Sequence, residues 1–289
     1  MSPSSNPTVC AVCLVNGRQE MVARAIRCFR EQTYERKRLL IVNSGPDPVL
    51  DAETDQMWEP CFVGIDRLTI GELRNHGNKY ASHHYVLNAD RPEIFVHWDS
   101  DDWSHPRRIE EQVALLQASG KECVGYRDML FWRECAMCEG GRGNILPACP
   151  KCGLKYDPSR ETPVGEAWLY TNTSPKYCIG TSLCYWRRVW EARPFPDAPK
   201  RPGESGEDTL WLREVDSYGA PSVVWNHPDG GPTVLPSYDT NDPPQPRMIA
   251  SIHGGNTSTQ YQDVVGMQSS PSWKRTPEWD AHCRSRMQL

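Results

Sequence analysis

Long hydrophobic runs are missing from this sequence of 289 residues. No window approaches the roughly 18 consecutive apolar residues that a membrane-spanning helix requires, so a bilayer-embedded enzyme is not expected. No secretory leader is expected either. Met1-Ser2-Pro3-Ser4-Ser5-Asn6-Pro7 has neither a basic flank nor an apolar core, and a cytoplasmic location is expected. A large charge of one sign is the third absence. The formal net charge of -5 excludes polyanion binding by the surface at large and leaves any such role to a local patch. No internal repeat recurs, which sets solenoid architectures aside. The length fits one large domain, or one domain with an insertion.

Cysteine, by contrast, is abundant, with 12 residues. Without an export signal these read as thiols and metal ligands rather than as a disulfide framework. Cys135 and Cys138 form one C-x-x-C pair and Cys149 and Cys152 another; the ten residues between them include Gly140, Gly141, Gly143 and Pro147. Four thiolates at this spacing predict a tetrahedral, closed Zn2+ site that folds a small ribbon and does no chemistry. Cys10 and Cys13 repeat the spacing inside an expected strand. There an offset of three sends the side chains to opposite faces, so buried, unligated thiols are expected.

Apolar patterning places a strand at 9–15, then a helix with Met21, Val22, Ala25, Ile26 and Phe29 on one face. A second strand at 39–42 ends in the turn-rich Asn43-Ser44-Gly45-Pro46-Asp47-Pro48. Strand, helix, strand at this spacing predicts a βαβ unit and a parallel sheet. A helix from 70 to about 83, a strand at 94–98, a helix over 106–119 and further sheet through 123–132 continue the alternation. Another helix is expected from Asp208, with Leu210, Trp211, Leu212 and Val215 as its apolar surface. Beyond Pro221 the chain is crowded with Pro, Gly, Asn and Asp, and an irregular segment is expected.

The strand Ile94-Phe95-Val96-His97-Trp98 runs into Asp99-Ser100-Asp101-Asp102. Three carboxylates at a strand end concentrate negative charge that water, cations or hydrogen-bond donors must absorb. Ligands of open α/β sheets bind beyond the carboxyl ends of strands, which makes this loop a candidate divalent-metal site for a bound phosphate. A solvated acidic turn ahead of the helix near Pro106 is the other use of such a sequence.

The order of these parts resembles family 2 glycosyltransferases of the GT-A fold, over most of residues 8–217. Val12-Cys13-Leu14-Val15-Asn16-Gly17-Arg18 stands where that family has its first strand and nucleotide loop, and Gln32-Thr33-Tyr34 precedes the second strand. Leu40-Ile41-Val42-Asn43-Ser44-Gly45, Leu73-Arg74-Asn75-His76-Gly77, the D-x-D-type Asp99-Ser100-Asp101-Asp102-Trp103 and Gly206-Glu207-Asp208 follow in order. The resemblance implies a Rossmann-like α/β fold with a mainly parallel central sheet, interrupted by the zinc ribbon. Its expected divisions are a nucleotide-sugar half at 1–132, the ribbon at 133–156, an acceptor and catalytic half at 157–225, and a segment closing the active site at 226–289.

The implied activity is inverting transfer from a nucleotide sugar, with UDP the expected nucleotide and Mg2+ or Mn2+ stabilising the diphosphate leaving group. The resemblance assigns Asp101 to the metal and Asp99 to the ribose or metal shell. Asn16, Arg18, Asn43 and Arg74 fall to the nucleotide or diphosphate. Asp208 becomes the base that deprotonates the acceptor hydroxyl, with Glu207 orienting acceptor or donor. His253, in Ile252-His253-Gly254-Gly255-Asn256-Thr257-Ser258, is expected to return to the metal. Where the family carries an Asp pair after the second strand, this chain has Asn43 and Ser44; an amide can still accept and donate toward a base.

The compact size and the His253 segment also resemble phage-type enzymes of the family, some of which modify hydroxymethylated bases in DNA. Residues 176–201 supply Lys176, Arg187, Arg188, Arg193, Lys200 and Arg201 against Glu191 and Asp197, interleaved with Tyr and Trp. That stretch is a candidate DNA-facing surface, whose target base would be flipped toward Asp208. A solvated basic face over a tryptophan core is its structural counterpart. A glycan or other cell-surface acceptor is the alternative substrate. A non-catalytic module binding nucleic acid or sugar nucleotide is the alternative class, disfavoured because a binding module needs no positioned base.

Overall fold

The computed structural model of the protein describes residues 6–16, 19–45, 58–62, 68–84, 91–134, 165–198, 206–222, 246–252, 267 and 270–287. The chain begins with β1 (Val9–Val15), α1 (Gln19–Arg30), β2 (Lys37–Asn43), β3 (Trp58–Phe62) and α2 (Ile70–His84). It continues through β4 (Ile94–Asp99), β5 (Trp103–Ser104), α3 (Arg108–Ser119), β6 (Cys123–Tyr126), β7 (Asp128–Glu134) and β8 (Gly165–Thr171). A 3-10 turn at Gly180–Ser182 precedes β9 (Cys184–Trp186), α4 (Arg187–Ala192), α5 (Glu207–Leu212) and β10 (Ser217–Ala220). Last come β11 (Met248–Ile252), β12 (Trp273–Arg275) and α6 (Asp280–Met287).

β1 is almost wholly buried, as a continuous apolar strand in a parallel sheet must be. It pairs in parallel with β2 on one side and β4 on the other, at the centre of a seven-stranded sheet of order β10-β6-β9-β4-β1-β2-β3. Only β9 runs against its neighbours β4 and β6. The expected α/β architecture with a mainly parallel central sheet is therefore present, and it is the GT-A arrangement. α1 buries Val22, Ala25, Ile26 and Phe29, the face read from the sequence. Trp98 donates its indole N–H to the Ala25 carbonyl at 3.1 Å, and Phe29 meets the same ring edge-on at 5.7 Å, which fixes the helix against β4. Cys10 and Cys13 are buried thiols outside any disulfide, as expected. Cys135, Cys138, Cys149 and Cys152 lie outside the described residues, and with them the ribbon.

Three expectations are corrected. The stretch 123–132 is not one continuous strand. Backbone pairing turns at Arg127, whose N–H meets the Ala220 carbonyl at 2.9 Å, so β6 stays in the first sheet and β7 enters a second. That second sheet has five strands in the order β12-β8-β7-β11-β5. The third helix starts at Arg108 rather than at Pro106, because the Gln32 side-chain carbonyl takes the Ile109 N–H at 3.0 Å while Pro106 and Arg107 remain in a turn. Residues 226–289 are not irregular throughout: β11, β12 and α6 lie there. β11 is short and fully buried, five residues between polar, turn-rich neighbours, and so is hard to see as a strand.

Candidate active site

Parallel pairing brings the strand ends to one edge. Leu14 stands beside Asp99 and Val15 beside Asn43, so that Asn16, Asn43 and Asp99 leave the sheet together. Asn16 is exposed there. Asn43 is buried and its side-chain oxygen accepts the Gly45 N–H at 3.0 Å, closing the turn after β2. Arg18 lies outside the described residues.

The three carboxylates after β4 have different surroundings. Asp102 is buried. Its Oδ2 accepts the Thr181 hydroxyl at 2.5 Å and its Oδ1 the Ser251 N–H at 3.2 Å, so it ties the loop to the 3-10 turn and to β11. Asp99 and Asp101 stay partly exposed. Asp99 Oδ1 accepts Arg74 Nη2 at 2.9 Å, and the Asp101 backbone carbonyl accepts Arg24 Nη2 at 2.5 Å. Burial pushes the Asp102 carboxyl well above the usual carboxylate range, and the charges of Asp101 and Asp99 push it further.

Two hard, part-exposed carboxylates crowded enough to disturb a third fit Mg2+ or Mn2+, which take oxygen donors and relieve such repulsion. Among the described residues no group of three or more His, Cys, Asp or Glu converges as a complete metal shell. His253 lies outside them.

The motif around Arg74 does three mechanical jobs on α2. The Arg74 guanidinium is buried and ion-paired with Asp99, and the charge of Glu207 also acts on it. Asn75 donates to the Phe195 carbonyl at 2.8 Å and accepts from the Trp190 indole at 2.8 Å and the Phe195 N–H at 3.0 Å, holding the segment that approaches α5. Gly77 lets the helix lie on the sheet. A Cβ there would stand 2.7 Å from Val12 Cγ1 and 2.8 Å from Val42 Cγ2.

α5 brings in the second acidic pair. Glu207 is buried, and its carboxyl is pushed up by burial first and by the adjacent Asp208 second, while Arg74 pulls it down. Asp208 is the more accessible of the two and accepts the Thr209 N–H at 2.7 Å. A Cβ on Gly180 would stand 1.7 Å from Asp208 Oδ2, which places this carboxylate directly on the turn that also holds Asp102.

The two acidic sites are thus joined twice, through Arg74 and through the 180–182 turn. Residues 10–128, which carry the first of them, match the family model described as Glycosyl transferase family 2. Over this stretch the chain is similar to family 2 glycosyltransferases. Over 155 residues the chain is 26% identical to EpsE of Bacillus subtilis (strain 168), a protein named as a glycosyltransferase, covering 52% of each. The chain thus spans about half the length of this curated relative. The crystal structure of S. aureus TarS 1-349 in complex with UDP-GlcNAc is similar with a TM-score of 0.50 at 11% identity, covering 86% of this chain and 60% of that one. The likeness is one of fold.

The basic stretch is charge-compensated at two of its residues. Arg187 lies 3.5 Å from Glu191, Arg193 pairs with Glu122, and Arg188 stacks on the Trp186 ring at 4.7 Å. Lys176 is exposed; Lys200 and Arg201 lie outside the described residues.

Sequence reasoning missed two buried polar residues that organise the site. Arg108 is fully buried on α3 and donates to the carbonyls of His97 at 2.8 Å and Thr181 at 3.0 Å, to Ser104 Oγ at 2.9 Å and to Gln112 Oε1 at 3.2 Å. His97, fully buried on β4, was read only as part of an apolar run. For His97 the available signal was a polar residue within an otherwise apolar strand.

Proposed function

We propose that this protein is a metal-dependent inverting glycosyltransferase that moves a sugar from a nucleotide sugar, UDP-linked by preference, to an acceptor hydroxyl. The observation that carries the reading is the convergence of the D-x-D loop and the Glu207-Asp208 pair on the Arg74 guanidinium and on one turn. The donor-side carboxylates and the base are then tied to one scaffold, as a displacement between them requires. A Mg2+ or Mn2+ ion bound at Asp101, with Asp99 and His253 as further candidates for its shell, would supply charge neutralisation to the departing diphosphate.

The chain's own residues do the rest. Arg74 holds Asp99 in place, and Asn16 and Asn43 lie at or next to the sheet edge where the nucleoside is expected. Asp208 accepts the proton of the acceptor hydroxyl as its oxygen attacks the anomeric carbon from the face opposite the nucleotide. The new C–O bond forms as the old one breaks, the electron pair leaves with the diphosphate, and the configuration inverts. Glu207, deeper and beside Arg74, orients rather than exchanges protons.

A second reading of the acceptor, a hydroxymethylated base in DNA, draws on the aromatic-interleaved basic stretch at 176–201. The pairing of Arg193 with Glu122, which lies outside the stretch, leaves it less positive than its composition implies, and supports a glycan or other small hydroxyl acceptor as the first reading. The test is a panel of nucleotide sugars against glycan acceptors, plain DNA and hydroxymethylcytosine DNA, read by mass. Sugar-sized mass gain on one acceptor, with nucleoside diphosphate released, is expected. Absence of both transfer and donor hydrolysis across the panel, in folded and metal-supplied protein, would contradict the activity; gain on hydroxymethylated DNA alone would select the second acceptor.

A further inference from the structure

We propose that His97 and Gly180 form the seat of the catalytic base, His97 fixing the Gly180 peptide against which the Asp208 carboxylate rests. The inference builds on the assignment of Asp208 as the base and adds two residues to it.

His97 Nδ1 lies 2.7 Å from the Gly180 carbonyl oxygen. A carbonyl only accepts, so Nδ1 carries the hydrogen and the ring is held in that tautomer. Burial, followed by the nearby charges of Arg74 and Arg108, keeps the imidazole neutral by pushing its pKa well below the ordinary histidine value. The ring is wedged edge-on to Tyr185 at 5.5 Å and tilted against Phe195 at 5.2 Å, which leaves it little freedom to rotate. Its own carbonyl takes one of the Arg108 hydrogen bonds, and Arg108 also grips the Thr181 carbonyl. The turn is therefore held at both Gly180 and Thr181.

Gly180 is required by its neighbour. The three atoms nearest to a Cβ built there are Oδ2, Cγ and Cβ of Asp208, at 1.7, 2.6 and 3.0 Å. The missing side chain is the space the carboxylate occupies. Beside it, Thr181 donates to Asp102 of the D-x-D loop, so one turn registers the base against the donor-side carboxylates. β4 sets both ends of this arrangement: Asp99 leaves its carboxyl edge and His97 stands two residues earlier, on the same face of the strand.

The experiment compares His97→Leu, His97→Asn, Gly180→Ala and Asp208→Asn, together with the His97→Leu/Asp208→Asn double variant, in the full chain. Donor affinity is read by calorimetry with UDP-sugar and Mn2+, and transfer by single-turnover rate. His97→Leu is expected to slow transfer about 10-fold or more with donor affinity within about twofold, because it moves the base and not the donor. His97→Asn, whose amide N–H can replace Nδ1–H, should recover most of the rate. Gly180→Ala should reproduce the His97→Leu split without touching His97. In the Asp208→Asn background, His97→Leu should cost nothing further.

Equal losses in His97→Leu and His97→Asn, an undiminished rate in Gly180→Ala, or a full additional loss in the double variant would overturn the seat. Near wild-type transfer by Asp208→Asn overturns the base assignment instead, and is distinguished by that single variant. If His97→Leu does not fold, the Gly180→Ala split decides the matter.

Discussion

The Arg108 guanidinium has no exposed surface and meets four oxygen acceptors from four places in the chain. Arg108→Met keeps the length of the side chain and strands those acceptors without donors. It should lower stability by roughly 3 kcal/mol in urea titration, well above the effect of an ordinary surface substitution. Gly77→Ala tests a different kind of residue. Its new methyl would press on Val12 and Val42, which are buried on neighbouring central strands, and a loss of about 1–3 kcal/mol is expected by the same measurement. A stability unchanged by Gly77→Ala would mean that α2 can lift from the sheet without cost.

At the scale of elements, α6 belongs to the active site's support although it ends the described chain. Arg24 on α1 donates one N–H group to the Met287 carbonyl and another to the Asp101 carbonyl, so a single buried side chain clips the last helix and the D-x-D loop to α1. Arg24→Met should weaken nucleotide-sugar affinity as well as stability; calorimetry showing wild-type affinity would confine Arg24 to packing. β1, β2, α2 and β4 were legible in the sequence because each is a long run with one clear period and a turn or polar loop at its end. The Asp99 and Glu207-Asp208 motifs were legible because charge at an element's end stands out.

β11 and β12 were not legible. Short strands that gain their hydrogen bonds from distant β5, β7 and β8 leave no local pattern strong enough to outweigh surrounding Pro, Gly and Asp. The roles of Thr181 and His97 were equally hidden, since each acts on a residue dozens of positions away. Arg74 was visible as a basic residue near a phosphate, but its burial and its ion pair with Asp99 came only with the fold.

Across the whole molecule, the proposed donor side lies in the stretch at 10–128 that is similar to family 2 glycosyltransferases, while the turn at 180–182 and α5 bring the proposed acceptor side from a later part of the chain. The proposed zinc ribbon would sit between them in sequence. Its chemistry separates from that of the active site: Cys149→Ser should reduce bound zinc on elemental analysis and leave the Mg2+ or Mn2+ requirement of transfer unchanged. Zinc absent from reduced, metal-replete wild-type protein would remove the ribbon from the account.

The central claim is that Asp208 takes the acceptor proton on a scaffold that binds the donor independently of it. The most direct measurement is donor affinity and single-turnover transfer on folded Asp208→Asn, which keeps the size of the side chain but cannot take up the proton. Wild-type nucleotide-sugar affinity with transfer slowed roughly 100-fold or more is the predicted result. Near wild-type transfer on the same acceptor would contradict it.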